Sequence, residues 1–147
     1  MAVSFPKNKI NVLLLEGVHD DAVEAFKNEG YNVDYSPDSL SEEDLCEKIK
    51  NVHIIGIRSK TKITQKVVDS ADKLLAVGAF CIGTKQIDLD ACKKKGIAVF
   101  NAPYSNTRSV VELAIGQIIL LMRSTFVRST ELHNGIWKKT AAGAREV

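Results

Sequence analysis

Five short apolar runs punctuate the chain up to Phe100, and each is followed by residues with helical spacing. The first, Ile10 to Leu15 (INVLLL), is apolar at nearly every position, the pattern of a strand buried on both faces rather than one. Tyr31 to Tyr35 alternates instead, as a strand nearer an edge does. His53 to Ile57 (HIIGI), Leu74 to Val77 (LLAV) and Ile97 to Phe100 (IAVF) read as the third, fourth and fifth strands. Between them lie helix signals. His19 to Glu29 sets Val23 and Phe26 on one face and ends at Gly30. Ser41 heads a second helix, with Asp44 at the third position of an approximate capping box and Leu40 and Leu45 spaced as a hydrophobic staple. Thr64 can cap a third helix carrying Val67, Val68 and Ala71. Asp88 can cap a fourth that runs to Lys95 and stops at Gly96. Strands separated by helices pair in parallel through right-handed crossovers, which predicts a doubly wound α/β domain.

The last third breaks the alternation. From about Asn106 to Thr130 a single long helix is expected, with Ser109-x-x-Glu112 near its start. Leu113, Ala114, Ile115, Ile118, Ile119, Leu120, Leu121 and Met122 point in nearly every direction around its axis. Such a helix has to be covered on all sides. Either it is a core helix of the same domain, or a second domain or subunit covers what this domain leaves bare.

Composition excludes more than it selects. The 147 residues suit one ordinary domain with an appendage, and a formal net charge of +2 with interspersed signs gives no nucleic-acid or membrane signal. Cys46, Cys81 and Cys92 are odd in number and form no C-x-x-C pair, which speaks against a disulfide framework and for a reducing cytosol. Met1 to Lys9 has no apolar core of a secretory signal, and Val110 to Met122 falls short of the roughly 20 residues of a membrane span. His19, His53 and His133 have no Asp, Glu or Cys context that suggests a metal site or a catalytic dyad. His19 is expected to cap a helix.

Ligands of open parallel sheets bind beyond the carboxyl ends of the strands. Three loops there carry the relevant groups. Arg58-Ser59-Lys60-Thr61 follows the third strand, and its Arg offers a planar donor fork for carboxylate or phosphate. It serves equally as a solvated loop with a surface ion pair. Gly78-Ala-Phe-Cys-Ile-Gly83-Thr84 follows the fourth strand, where two glycines can bare backbone N–H groups to an anion or simply make a tight turn. Cys81 within it is expected to be a buried, inert thiol. Asn101-Ala-Pro-Tyr-Ser-Asn106-Thr107-Arg108 leads into the long helix, where Asn106 or Thr107 can cap the helix or meet an anion. Together the loops favour a small, negatively charged ligand. Neither G-x-G-x-x-G nor G-x-x-x-x-G-K-[ST] occurs, so no nucleotide fingerprint is present, and no acid–base catalyst is visible.

Several segments together carry a resemblance. They are Ile55-Gly-Ile-Arg58-Ser59-Lys-Thr61, Gly78-Ala-Phe-Cys-Ile-Gly83-Thr84 with Asp88-Leu-Asp, Asn101-Ala-Pro-Tyr-Ser-Asn-Thr-Arg-Ser109, His133-Asn-Gly-Ile-Trp137-Lys-Lys139, and the opening Val12-Leu-Leu-Leu-Glu-Gly-Val-His19. In order and spacing across the whole chain, the sequence resembles the D-2-hydroxyacid dehydrogenases, and among them the D-3-phosphoglycerate dehydrogenases. The resemblance implies a flavodoxin-like doubly wound parallel five-stranded sheet at 1–104, the substrate-binding domain. It implies a long interdomain and dimerisation helix with its tail at 105–147, leading into a nucleotide-binding domain absent from this chain.

The implied reaction is NAD-dependent oxidation of 3-phospho-D-glycerate to 3-phosphohydroxypyruvate, at the entry to serine biosynthesis, by a cytoplasmic enzyme. Arg58, Ser59, the backbone amides of Ile82 and Gly83, Asn106 and Lys139 are the implied substrate contacts. The implied partner is a second copy, through the 106–130 helix. The NAD fingerprint and the catalytic Arg, Glu and His of such enzymes would lie beyond Val147, so no catalytic, cofactor or metal residue is expected here and the chain alone is expected to be inactive. Stand-alone anion-binding or dimerisation modules, or a piece of a related D-2-hydroxyacid dehydrogenase, are the alternatives. Lys85 stands where the family usually has Asn, adding a charge and removing an acceptor.

Overall fold

A computed structural model describes residues 5–147; the first four residues of the Met1 to Lys9 stretch lie outside the described part. The chain divides into two compact units, Met1–Ser105 and Asn106–Val147.

The first unit is built on five strands, β1 (Asn11–Leu14), β2 (Asn32–Tyr35), β3 (Ile54–Ile57), β4 (Ala76–Ala79) and β5 (Ala98–Asn101), with α1 (Asp20–Asn28), α2 (Glu42–Lys48), α3 (Gln65–Ser70) and α4 (Leu89–Lys94) between them. Every pairing is parallel and the spatial order is β2-β1-β3-β4-β5. That is the flavodoxin-like order, with its direction reversing between β1 and β3. The expected fold is therefore the observed one.

Local signals read correctly where they are chemically local. Ser41, Thr64 and Asp88 each accept a backbone N–H at the third residue into α2, α3 and α4, from Asp44, Val67 and Ala91. His19 caps α1 through Nδ1, taking the Asp21 N–H. Gly30 and Gly96 adopt φ of +88° and +73° just past α1 and α4, the left-handed exits that glycine permits. Leu45 is buried with Leu40 packed beside it, as the staple spacing requires.

Side chains of alternate strand residues form two cores. Leu13, Leu15, Ile55, Ile57 and Val77 meet α2, α3 and α4 on one face, through Leu45, Val67, Val68 and Cys92, with Ile49 just past α2 beside them. Val12 and Leu14 meet Val23 of α1 on the other. A continuous run such as VLLL at 12–15 serves both faces at once, which is why it shows no alternation.

The fourth strand sits two residues later than the LLAV run suggests. Leu74 is 6% exposed but lies before the strand, Leu75 is 59% exposed, and the ladder holds Ala76 to Ala79. Gly78 thus belongs to the strand, opposite Gly56, not to the following loop. The close approach explains the small residues: a Cβ on Gly56 would sit 2.5 Å from Leu14 Cδ2 and 2.8 Å from Phe80 Cε2.

The second unit also departs from expectation. The long helix of 106–130 is two helices, α5 (Thr107–Met122) and α6 (Thr125–His133), bent by 66°. Ser124 takes φ +54° at the break, a left-handed conformation that stops α5. The Met122 carbonyl, which a continuing helix would use, accepts instead from the Arg145 N–H at 2.8 Å, and Arg128 Nη2 donates to the Ala142 carbonyl at 3.4 Å. The tail thus supplies the hydrogen bond a straight helix would have made. No residue of α5 or α6 is buried, and both helices belong to the second unit. No single helix is long and apolar enough to cross a membrane.

Candidate functional site

Reversal of strand order leaves a crevice beyond the carboxyl ends of β1 and β3, where the connections to their helices diverge. The residues leaving those strands line two adjoining cavities. One of about 200 Å³ is bounded by Glu16, Pro37, Asp38, Ser39, Arg58, Ser59 and Lys60. The other, about 310 Å³, is bounded by Gly17, Val18, His19, Arg58 and Phe80. Arg58 is common to both. Its guanidinium has no acidic partner among the described residues, and neither has the Ser59 hydroxyl a hydrogen bond. The surface ion pair open to Arg58 on sequence grounds is not made.

The β4 loop is fastened against this one by two side chains. Gln86 Nε2 donates to the Arg58 carbonyl at 2.7 Å and to the Gly83 carbonyl at 3.1 Å. Cys81 Sγ lies 3.6 Å from the Arg58 carbonyl and 3.2 Å from that of Gly83. The thiol is half-buried and ties two loops together, so the expectation that it is buried is corrected. From the β5 side, Asn101 Nδ2 donates to the Ile82 carbonyl at 2.8 Å, and the Ala102 N–H to the Cys81 carbonyl at 3.0 Å. With the carbonyls of Ile82 and Gly83 engaged, their N–H groups have no acceptor among the described residues. Gly83 has nothing within 4 Å of where a Cβ would be, so the approach is open. An uncommitted guanidinium, a hydroxyl and two free amides make a donor set for a carboxylate or phosphate.

Glu16 went unassigned in the sequence, and no spacing could have revealed it. It is 8% exposed, has φ +64°, and accepts from the N–H groups of Lys60 at 2.8 Å and Thr61 at 2.7 Å. Burial, the largest single influence, pushes its carboxyl up, but the Lys60 and Thr61 N–H groups, with smaller help from the Thr61 hydroxyl and the Arg58 backbone, together hold it below the usual carboxylate range. The Thr61 hydroxyl, 1% exposed, adds to that pull from nearby although it makes no hydrogen bond of its own.

Four of the six expected contacts, Arg58, Ser59, Ile82 and Gly83, thus gather in the first unit. Asn106 and Lys139 belong to the second. Asn106 stands at the N-cap position of α5 without a side-chain cap bond. Lys139 borders a cavity of about 440 Å³ with Arg128, Ile136, Trp137 and Lys138, where Glu131 pairs with Arg128 at 2.8 Å and Lys138 at 3.1 Å. Lys85 makes no ion pair among the described residues and borders a separate hollow with Lys62, Thr64 and Asp88. The histidines are structural: His53 Nδ1 accepts the Asn11 N–H at 3.0 Å, and His133 Nδ1 lies 2.8 Å from the Ser129 carbonyl. Among the described residues no three His, Cys, Asp or Glu side chains could hold a metal ion.

Comparison with known proteins follows the same lines. Residues 12–145 match the family model of the D-isomer specific 2-hydroxyacid dehydrogenase catalytic domain. A D-3-phosphoglycerate dehydrogenase of Dictyostelium discoideum is 51% identical over 144 residues, 98% of this chain and 35% of that protein. One of Escherichia coli K12 is 50% identical over 145 residues, again 98% and 35%. The crystal structure of an NAD⁺-bound 3-phosphoglycerate dehydrogenase of Entamoeba histolytica superposes with a TM-score of 0.69 at 27% identity, over 80% of this chain and 41% of that one. The chain thus spans about a third of the length of the curated relatives it matches.

Proposed function

The chain belongs to the D-isomer specific 2-hydroxyacid dehydrogenase family through its catalytic domain, and on that premise we propose that it holds the substrate of a D-3-phosphoglycerate dehydrogenase. The whole enzyme would oxidise 3-phospho-D-glycerate to 3-phosphohydroxypyruvate with NAD. One observation carries the assignment to this site: the unpaired Arg58 and Ser59 stand beside the loop whose Ile82 and Gly83 amides are free, with Gln86 bonded to both loops. In this reading Arg58 meets an anionic end of the substrate, Ser59 supports it, and the two amides receive its carboxylate. Asn106 and Lys139 are proposed as further contacts in the complete enzyme, and residues 1–104 as its substrate-binding domain.

NAD is assigned to the rest of the enzyme, and no residue of this chain is proposed to hold it. No glycine-rich fingerprint follows a strand, and all three histidines are engaged in structural bonds or caps, so no hydride or proton step is assigned to them. Phosphoglycerate-dependent reduction of NAD by the 147-residue chain is expected to be undetectable. Calorimetry tests the binding role: the chain should take 3-phosphoglycerate with a dissociation constant of about 1 mM or tighter. Arg58→Ala should abolish the heat signal, and undiminished binding by that variant would refute the assignment.

A second copy of the chain is the proposed partner, through the 106–130 segment. Val110, Val111, Leu113, Ile115, Ile118 and Leu121 are all exposed on α5, an apolar surface of the kind that marks an association site. Light scattering should find a dimer or larger; a strict monomer at high concentration would remove this part of the reading.

A further inference from the structure

A carboxylate lining a cleft built for an anion is out of place unless its charge is spent elsewhere. Glu16 is so placed, and its setting shows where the charge goes. The turn from β1 is stitched at three levels. The Leu15 N–H donates to the Gly56 carbonyl at 2.9 Å, that of Glu16 to Asp38 at 3.2 Å, and that of Gly17 to Ser36 at 3.5 Å. Glu16 and Gly17 both take left-handed φ, +64° and +61°, and for a residue with a side chain this backbone is unfavourable. Ordinary packing does not call for it. The conformation turns the Glu16 side chain across to the β3 loop, where its two oxygens take two successive N–H groups.

Residues 58–61 are thereby held at both ends. The Arg58 carbonyl is fixed by Gln86 and Cys81, and the Lys60 and Thr61 amides by Glu16. What stays uncommitted between these ties is the pair of side chains, Arg58 and Ser59, that faces the cavities. We propose that Glu16 is the positioning residue of the anion-binding loop, acting through the Lys60 and Thr61 amides to aim Arg58 and Ser59 without touching the ligand. Two donors converging on one point call for two acceptor oxygens, which only a carboxylate supplies; a glutamine would turn an NH₂ group toward one of them. The proposal rests on the reading of the cleft as an anion site.

Charge and position predict opposite signs. Repulsion by a nearby carboxylate alone would make Glu16→Gln bind anions more tightly. Positioning makes it bind more weakly, by about tenfold, the size expected for losing one charge-assisted hydrogen bond. A merely structural role would lower the melting temperature and leave affinity unchanged. Glu16→Asp supplies the second variant: it keeps the charge and tolerates the left-handed backbone, but its shorter reach cannot span both amides. Calorimetry of the 147-residue chain with 3-phosphoglycerate should show both variants weakened; affinity unchanged or raised in Glu16→Gln overturns the proposal.

Amide hydrogen exchange supplies an arm that needs no ligand. In Glu16→Gln, exchange at Lys60 and Thr61 should rise about tenfold or more while Leu13 and Ile55 stay protected. Unchanged exchange at those two amides also overturns the proposal. If the unmodified chain fails to bind phosphoglycerate while the exchange result holds, the ligand reading fails and the loop clamp stands.

Discussion

Leu13 and Leu113 are the same amino acid in equally apolar surroundings of sequence, yet the first is 1% exposed and the second 63%. The first unit spreads its apolar residues over short strands and one-sided helices, so that most of them find a partner within 105 residues. The second concentrates them around one 16-residue helix whose sides outnumber the neighbours available to it. Apolarity along a chain therefore reports the demand for burial, and says nothing about where the partner resides. In the first unit the demand is met by local chain; in the second it is left unmet among the described residues.

The contrast can be broken at its strongest point. Leu13→Ala should cost about 2–5 kcal/mol of unfolding free energy, as a large-to-small change in a close-packed core does. Chemical denaturation followed by circular dichroism reads the loss, and a change below about 1 kcal/mol would show the sheet to be loosely packed. Gly56→Ala tests the same core by overfilling it and should cost about 1–3 kcal/mol, because Leu14 has nowhere to move. A smaller penalty would mean that the Phe80 ring alone swings aside.

Acid offers a gentler probe. The folded Glu16 carboxyl lies below its unfolded value, so its contribution is complete at neutral pH and is lost as pH falls from the unfolded carboxylate range through the folded value. Melting curves across that range should fall more steeply for the unmodified chain than for Glu16→Gln; parallel curves would count against a depressed Glu16. The smallest effect is expected at Leu113→Ala, within about 0.5 kcal/mol in the monomer, since an exposed side chain has little packing to lose. A large loss there would mean that α5 is already covered.

Legibility in sequence followed the range of the interaction. Caps at Ser41, Thr64 and Asp88 act over three residues and were plain, as was the VLLL run of β1. The three loops could be placed at the strand ends, where Gln86 bonds the Arg58 loop to the Gly83 loop. What stayed hidden acts at a distance. Glu16 reaches 44 and 45 residues along the chain to Lys60 and Thr61, and Gln86 reaches back 28 to Arg58. No periodicity encodes such pairs. The break at Ser124 is hidden for the same reason, because it is stabilised by Arg145 and Ala142 from the tail while serine itself permits a helix. The displaced start of β4 has another cause: Leu74-Leu75 has the look of a strand, while the Gly78-Ala79 that completes it has the look of a turn.

Gly56 marks a place where strands approach closely. The Phe80 ring that lies over its missing side chain also reaches within 3.5 Å of where a Cβ on Gly78 would be, and walls the cavity shared with Arg58. The sheet's middle and the cavity's floor are thus separated by the thickness of one aromatic ring. A methyl group added deep in the domain would lift that floor directly, passing through no loop or hinge. A substitution there that leaves the fold intact can therefore change the depth of that cavity from inside the protein.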